Sequence, residues 1–484
     1  MNTRTIPLLA FLGALGVLSG EPALAQDLTP RSMAQDKPVA IVNATIHPIG
    51  AKEIPNGFVL FDQGRITDVG AIDANKPVSE GYRLIDAKGK HIYPGLIGAN
   101  TELGLTEMQS VRASNDMAET GGVTPEVQAI TAINPDSTLL PVTRSAGELL
   151  AAVLPSGGLI PGRAGVIRLD GWTVPDMTVF ADAGLVINWP MTRTINAWWM
   201  NTPEDEQRKG IEKNLRAIED MIAGARAYAL AKDSHQQPAA DIRYESMRGI
   251  FGSFIGTGIT GLGESKPDSA PETPDPKPET RLPIFIHAQD YDQIQQAVTV
   301  CAKYGLRCIV VGGRDAPLCA DLLKRHHVSV IIDGTFKFPK RDDSPYDDAY
   351  TLPARLEQAG LKWCLASGEE TAHERNLSNA AGMAVAYGLD HEAALRSITL
   401  SSAEILGVAD RYGSITPGKS ATLIVTDGDV LDVSNHVVMA FLDGREVNLS
   451  DKQKALDQRY REKYRLSETP PNGTGTAAAS PAGK

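Results

Sequence analysis

The residues of this 484-residue chain best suited to chemistry are acids and histidines that follow short apolar runs. Glu102 closes the cluster Asn100-Thr101-Glu102, just after Leu96 and Ile97. His287 ends the apolar part of IFIHAQD, and LASGEE sets Ser367, Gly368, Glu369 and Glu370 at the end of the run from Trp363. Asp315 and His373 stand in comparable places. Three of Glu102, His287, Asp315, Glu369 and His373 could hold one divalent ion and leave a position open for water or substrate. Glu102 and His287 are the candidate metal ligands, and Glu369 and Ser367 the candidate catalytic residues. The same acids also read as solvated loop residues, and a single histidine at a strand end as a hydrogen-bonded structural one.

Polar, turn-rich segments at 113–122 and 133–147 follow the first of these runs. Arg112, Asn115 and Arg144 from this region, with Arg314 after the glycines of VVGGRDA, are candidates to hold a small polar molecule; structural ion pairs are the competing reading. Gly256-Thr257-Gly258-Ile259-Thr260-Gly261 matches GxGxxG. No βαβ unit surrounds it and proline-rich sequence follows, so it fails as a dinucleotide site. No G-x-S-x-G elbow is present. The four cysteines, Cys301, Cys308, Cys319 and Cys364, form no CxxC pair and read as buried apolar side chains or, in an oxidising compartment, a bridge.

The elements that must position these residues divide into two kinds. Short alternating runs split by Gly, Asn and Asp occupy 39–93 and return at 411–450, which predicts one small β-sandwich-like domain assembled from both chain ends. Asp62-Gln63-Gly64 predicts a hairpin turn. Between them, 94–410 alternates strand-like and helix-like segments. Strands are predicted at 96–99, 149–154, 165–169, 184–188, 284–287, 308–311, 328–332 and 363–366, the count of an α/β fold of the (β/α)8 TIM-like barrel kind. A helix with Thr202 as N-cap and Pro203 in its first turn keeps apolar period through Ile211, Leu215, Ile218 and Ile222. Residues 264–282, proline-rich and acidic, predict a disordered insertion, and 467–484 a disordered tail.

The stretch from Asn376 to Asp429, with ITPGKSATLIVTDGD near its end, resembles the C-terminal signature of amidohydrolases of the imidazolonepropionase-like kind. PGLIGANTELG resembles their first barrel strand, which there runs into a His-x-His pair, and GFVLFDQGRITDVG their N-terminal hairpin. The resemblance implies hydrolysis of non-peptide C–N bonds on a barrel whose strand ends carry a metal. Its ligands there are the histidine pair, a lysine or acid near strand four, histidines on strands five and six, and an Asp on strand eight. One or two such ions lower the pKa of bound water and polarise the scissile carbonyl. Carried over position by position, Asn100 and Glu102 replace the pair and His287 matches strand five. Gly312 and Gly313 stand on strand six, and Ser367 replaces the strand-eight Asp. The cofactor expectation is therefore one divalent metal ion or none, and a binding or assembly role stands beside an active hydrolase with a reduced site. Partners are expected to be a small polar molecule and, for assembly, another copy of the chain or a partner amidohydrolase.

The net charge of −12 argues against nucleic acid. Residues 1–25 read as a signal peptide: Arg4, an apolar run from Ile6 to Val17, and Ala23-Leu24-Ala25 as the cleavage signal. That run is too short to span a bilayer, and the chain is expected to be exported, periplasmic or secreted, with no membrane span.

Overall fold

The computed structural model describes residues 31–72, 81–234, 236, 238–252, 281–368 and 370–465. The leader, the GxGxxG segment, the proline-rich insertion up to residue 280, the tail and Glu369 lie outside the described residues.

Five strands open the fold: β1 (Val39–Ile46), β2 (Ile54–Asp62), β3 (Arg65–Ala71), β4 (Arg83–Asp86) and β5 (His91–Pro94). Gln63 and Gly64 turn β2 into β3 with φ of 47° and 78°. Two such positive angles make the mirror-image turn whose twist matches that of paired strands. The chain then enters β6 (Leu96–Thr101), β7 (Glu148–Val153), β8 (Gly162–Arg168), β9 (Thr178–Asn188), β10 (Ile284–Ala288), β11 (Cys308–Gly312), β12 (Ser329–Asp333) and β13 (Trp363–Ala366). It returns through β14 (Leu423–Thr426), β15 (Val437–Leu442) and β16 (Arg445–Glu446).

The first and last groups share one sheet in the order β16-β15-β14-β5-β1-β2-β3, with β4 beside β1. β14 pairs antiparallel with β5, so the two chain ends meet at the centre of this sheet. Val59, Phe61, Ile92, Leu423 and Phe441 form its own core. Phe61 from the N-terminal part meets Phe441 from the C-terminal part edge to face, ring centroids 5.0 Å apart. Each buried Phe stabilises by about 1.5–3 kcal/mol through burial, and their edge contact adds about 0.5–1.5 kcal/mol.

The middle strands hydrogen-bond in chain order from β6 to β13, and β13 lies against β6 to bring the barrel close to closure. β7 and β13 are buried along their whole length, as strands with helices outside and core inside must be. All eight predicted barrel strands form, with β9 starting earlier, at Thr178. One departs from a fully parallel barrel: β8 is antiparallel to both β7 and β9. The cause lies in its connections. A parallel neighbour needs a crossover of about a dozen or more residues. The links 154–161 and 169–177 are shorter, and the only helix in them is Val174–Met177. Sequence alternation reports which face a strand buries and is blind to its direction.

The long helix after β9 spans Glu204–Asp233. Pro203 rather than Thr202 is its N-cap, without a side-chain cap bond, and Glu204, Asp205 and Glu206 offset the missing cap by facing the positive end of the helix dipole. All four cysteines are buried free thiols. Among the described residues no helix is long and apolar enough to cross a membrane.

Candidate ligand site at the barrel mouth

The C-terminal ends of the parallel strands converge on a cavity of about 400 Å³. β6 supplies Asn100 and Thr101 with Glu102 just beyond, and the turn after β7 supplies Pro155 and Ser156. β9 ends in Asn188, β10 carries His287 and β12 ends in Asp333. Gln109 from the loop after β6, and Lys337, Glu370 and Thr371 from the loops after β12 and β13, complete the polar lining.

Asp333 is the hub. Its Oδ1 accepts from Asn100 Nδ2 at 3.0 Å and its Oδ2 from Gln289 Nε2 at 3.2 Å. Asn188 Nδ2 donates to the Gly158 carbonyl at 2.9 Å, tying β9 to the turn after β7. Lys337 Nζ donates to the Gly368 carbonyl at 2.9 Å and so holds the loop after β13 against the loop after β12. Burial pushes the Glu102 carboxyl above its ordinary value, against a hydrogen bond from Ser156 that favours the charged form. Burial likewise pushes His287 down, with the Asp333 charge opposing it. A half-buried acid and a neutral imidazole thus share one polar chamber. Among the described residues, no three His, Cys, Asp or Glu side chains are grouped to hold a metal ion.

The residues predicted from sequence are distributed as follows. Glu102 and His287 line the same cavity. Arg314 lines an adjoining cavity of about 250 Å³ that shares Asp333 and Lys337 with the first, and it pairs with Asp290. Ser367 is buried and donates to Glu374 Oε2 at 2.7 Å, below the chamber instead of into it. Arg144 does not line the cavity. It is 0% exposed, pairs with Asp170 at 2.7 Å and donates to the Leu169 and Asn448 carbonyls at 3.0 and 3.1 Å. Its guanidinium ties the barrel to the C-terminal segment. Arg112 is exposed on the short helix Arg112–Ser114, and the Asn115 side chain accepts from the Met117 amide at 3.4 Å; neither lines the cavity. Asp315 is occupied by Arg341 and by the Tyr291 amide at 2.9 Å, and His373 is exposed.

Sequence reasoning missed Asp333, Asn188, Gln289 and Lys337. Asp333 carried the same signal as His287, a polar residue at the end of an apolar run, in SVIID. A larger groove of about 490 Å³ lies between the helices Glu204–Asp233 and Tyr291–Tyr304, outside the barrel. Glu219 is the one ionisable side chain in its lining, which makes the mouth the better place for chemistry.

The crystal structure of an amidohydrolase from Thermotoga maritima MSB8 superposes with a TM-score of 0.69 at 22% identity, covering 85% of this chain and 99% of that one. The Amidohydrolase family model matches residues 307–447. Imidazolonepropionase of Mesorhizobium japonicum is 22% identical over 399 residues, 77% of this chain and 87% of that protein. Amidohydrolase tasK of Hapsidospora irregularis is 22% identical over 415 residues, 80% of this chain but only 39% of that protein's length. Residues 307–447 thus match the amidohydrolase family, and the likeness of the whole barrel to the Thermotoga maritima structure is one of fold.

Proposed function

We propose that the barrel mouth binds a small polar molecule and works without a binuclear metal centre. The observation that carries this reading is the state of Asp333, whose two oxygens are each met by an amide N–H, from Asn100 and Gln289. A carboxylate is acceptor-only, so both amides must turn their donors toward it. Those donors put partial positive charge where a ligated cation would need lone pairs. Asn100 also stands in the place of the first strand's histidine, and Lys337 adds a cation to the lining. The residues present do not fit a pair of metal ions. They do fit a molecule with both donors and acceptors: Asn100, Asn188 and Lys337 offer N–H groups, while Glu102 and Glu370 offer carboxyl oxygens. Trp198 and Phe338, 95% and 96% exposed on the loops after β9 and β12, support an assembly role for the same face. The sequence of residues 1–25 supports export.

A second reading is hydrolysis of a C–N bond, which the match of residues 307–447 to the amidohydrolase family supports. The observation in its favour is Glu102, whose carboxyl burial raises above the ordinary value. Such a group is poised to give a proton to a departing amine.

The test is a thermal-shift screen of the full chain against small polar amides, lactams and amino acids. A ligand that stabilises the wild type and loses its effect in Glu102→Gln and Asp333→Asn supports the site. A screen whose hits bind both variants unchanged rejects it. Each hit is then followed for product. Turnover that falls as pH rises through the raised Glu102 value, and that Glu102→Gln abolishes, selects the second reading.

A further inference from the structure

Two hairpin turns of the small sheet repeat one pattern. Gln63-Gly64-Arg65 joins β2 to β3, and Asp443-Gly444-Arg445 joins β15 to β16. The central angles match: φ is 47° and 78° at Gln63 and Gly64, and 47° and 76° at Asp443 and Gly444. Each arginine therefore leaves its turn at the equivalent position. The turns also touch. A Cβ placed on Gly444 would lie 2.8 Å from Gly64 Cα, and one on Gly64 would lie 2.9 Å from the Asp443 carbonyl oxygen. Only hydrogen fits between them, so the contact sets Arg65 and Arg445 side by side. Both line a cavity of about 390 Å³ together with Arg411, Ser420, Gln35 and Asp443.

The charges around this cavity do not balance. Asp443 is its one acid and is already engaged by Arg168, by Ser420 Oγ at 2.6 Å and by Tyr412 Oη at 3.1 Å. Arg65 donates to the Gly418 carbonyl at 2.8 Å and Arg411 to Tyr412 Oη at 2.9 Å. Neither they nor Arg445 hold a carboxylate among the described residues, whereas Arg31, Arg83 and Arg163 each do. Three guanidinium side chains thus line one cavity with a single carboxylate that already holds Arg168, in a chain of net charge −12.

We propose that this cavity is a binding site for a phosphate-type oxyanion, a phosphate ester or pyrophosphate group. Guanidinium forks match the paired oxygens of phosphate, and three cations suit an anion carrying two or more charges better than a single carboxylate. The cavity shares no lining residue with the barrel mouth. It lies by Arg168 at the end of the reversed strand β8, at the opposite end of the barrel. The site stands independently of whatever the mouth binds. A soluble phosphate ester and a phospholipid headgroup present the same chemistry.

The test is isothermal titration of the full chain with inorganic pyrophosphate at low salt. Saturable binding is expected, weakened at least about tenfold in the double variant Arg65→Gln/Arg445→Gln and weakened by added salt. Glu102→Gln leaves it unchanged. Arg411→Gln serves as the second arm if the double variant's circular dichroism shows it unfolded. Co-sedimentation with phosphatidylglycerol vesicles distinguishes the sources. Pelleting that the arginine variants abolish assigns a headgroup, and pyrophosphate binding without pelleting assigns a soluble ester. The proposal is overturned if neither probe binds, or if both bind the folded arginine variants as tightly as the wild type.

Discussion

Beneath the barrel mouth, Glu148 at the start of β7 and Glu374 after β13 are both fully buried, and they face the same point. A Cβ on Gly98 would lie 2.1 Å from Glu148 Oε1 and 3.1 Å from Glu374 Oε1, so the glycine makes room for both carboxyls. Among the described residues neither Glu148 oxygen has a hydrogen-bond partner. Burial, and then the Glu374 charge, push the Glu148 carboxyl well above its usual value of 4.5. Between that usual value and the raised one, the folded chain keeps a proton that the unfolded chain has released. The protonated form's contribution to stability is therefore complete below the usual value and is lost as pH rises toward the raised one. One proton corresponds to a slope of about 1.4 kcal/mol per pH unit. With an unfolding entropy of roughly 2.1 cal/mol/K per residue over a chain this long, that slope is about 1.4 °C in Tm per pH unit. Glu148→Gln keeps the shape and cannot ionise. Thermal melts of the full chain and of this variant between about pH 5 and 8 should differ in slope by that amount. The variant should be the more stable one at the alkaline end. Parallel curves, or a variant less stable by the same margin at every pH, would refute the account in which folded Glu148 keeps its proton.

Two further outcomes follow from packing. Arg144→Met leaves the buried Asp170 without its cation, held by Ser32 alone, and should cost about 3–5 kcal/mol in urea unfolding; a loss under about 1 kcal/mol would show that the pair is not structural. A fragment of residues 39–93 should not fold alone, because its core lacks Leu423 and Phe441. A well-dispersed NMR spectrum of that fragment would contradict the composite sheet.

Much of this architecture was legible in the sequence because it rests on patterns the sequence displays. Val59 and Phe61 stand in the apolar run Phe58–Phe61 between a glycine and an aspartate, and their partners Leu423 and Phe441 sit in equally plain runs. The barrel strands read as apolar stretches because both their faces are covered. The reversal of β8 was not legible, since its cause is the length of two connections. The site was half legible. Glu102 and His287 stood out as polar residues ending apolar runs, and they do share a chamber. Asp333 carried the same signal, but no family position drew attention to it. Arg144 illustrates the opposite error. A charged residue in a polar loop looks available, and only the fold reveals Asp170 waiting 2.7 Å away. The buried Glu148 was equally invisible, because an acid opening a strand looks like a surface residue until the helix and loop above it are in place.

The account's central claim is that the mouth does not use a binuclear metal centre, and metal content tests it most directly. The full chain is expressed in medium supplemented with zinc, manganese and iron, purified without chelator, and analysed by inductively coupled plasma mass spectrometry beside His287→Ala and Asp333→Ala. The donors that Asn100 and Gln289 turn toward Asp333 predict well under one ion per chain, with no difference between wild type and variants. About one or two ions per wild-type chain, lost in either variant, would contradict the account and restore metal-assisted hydrolysis at this site.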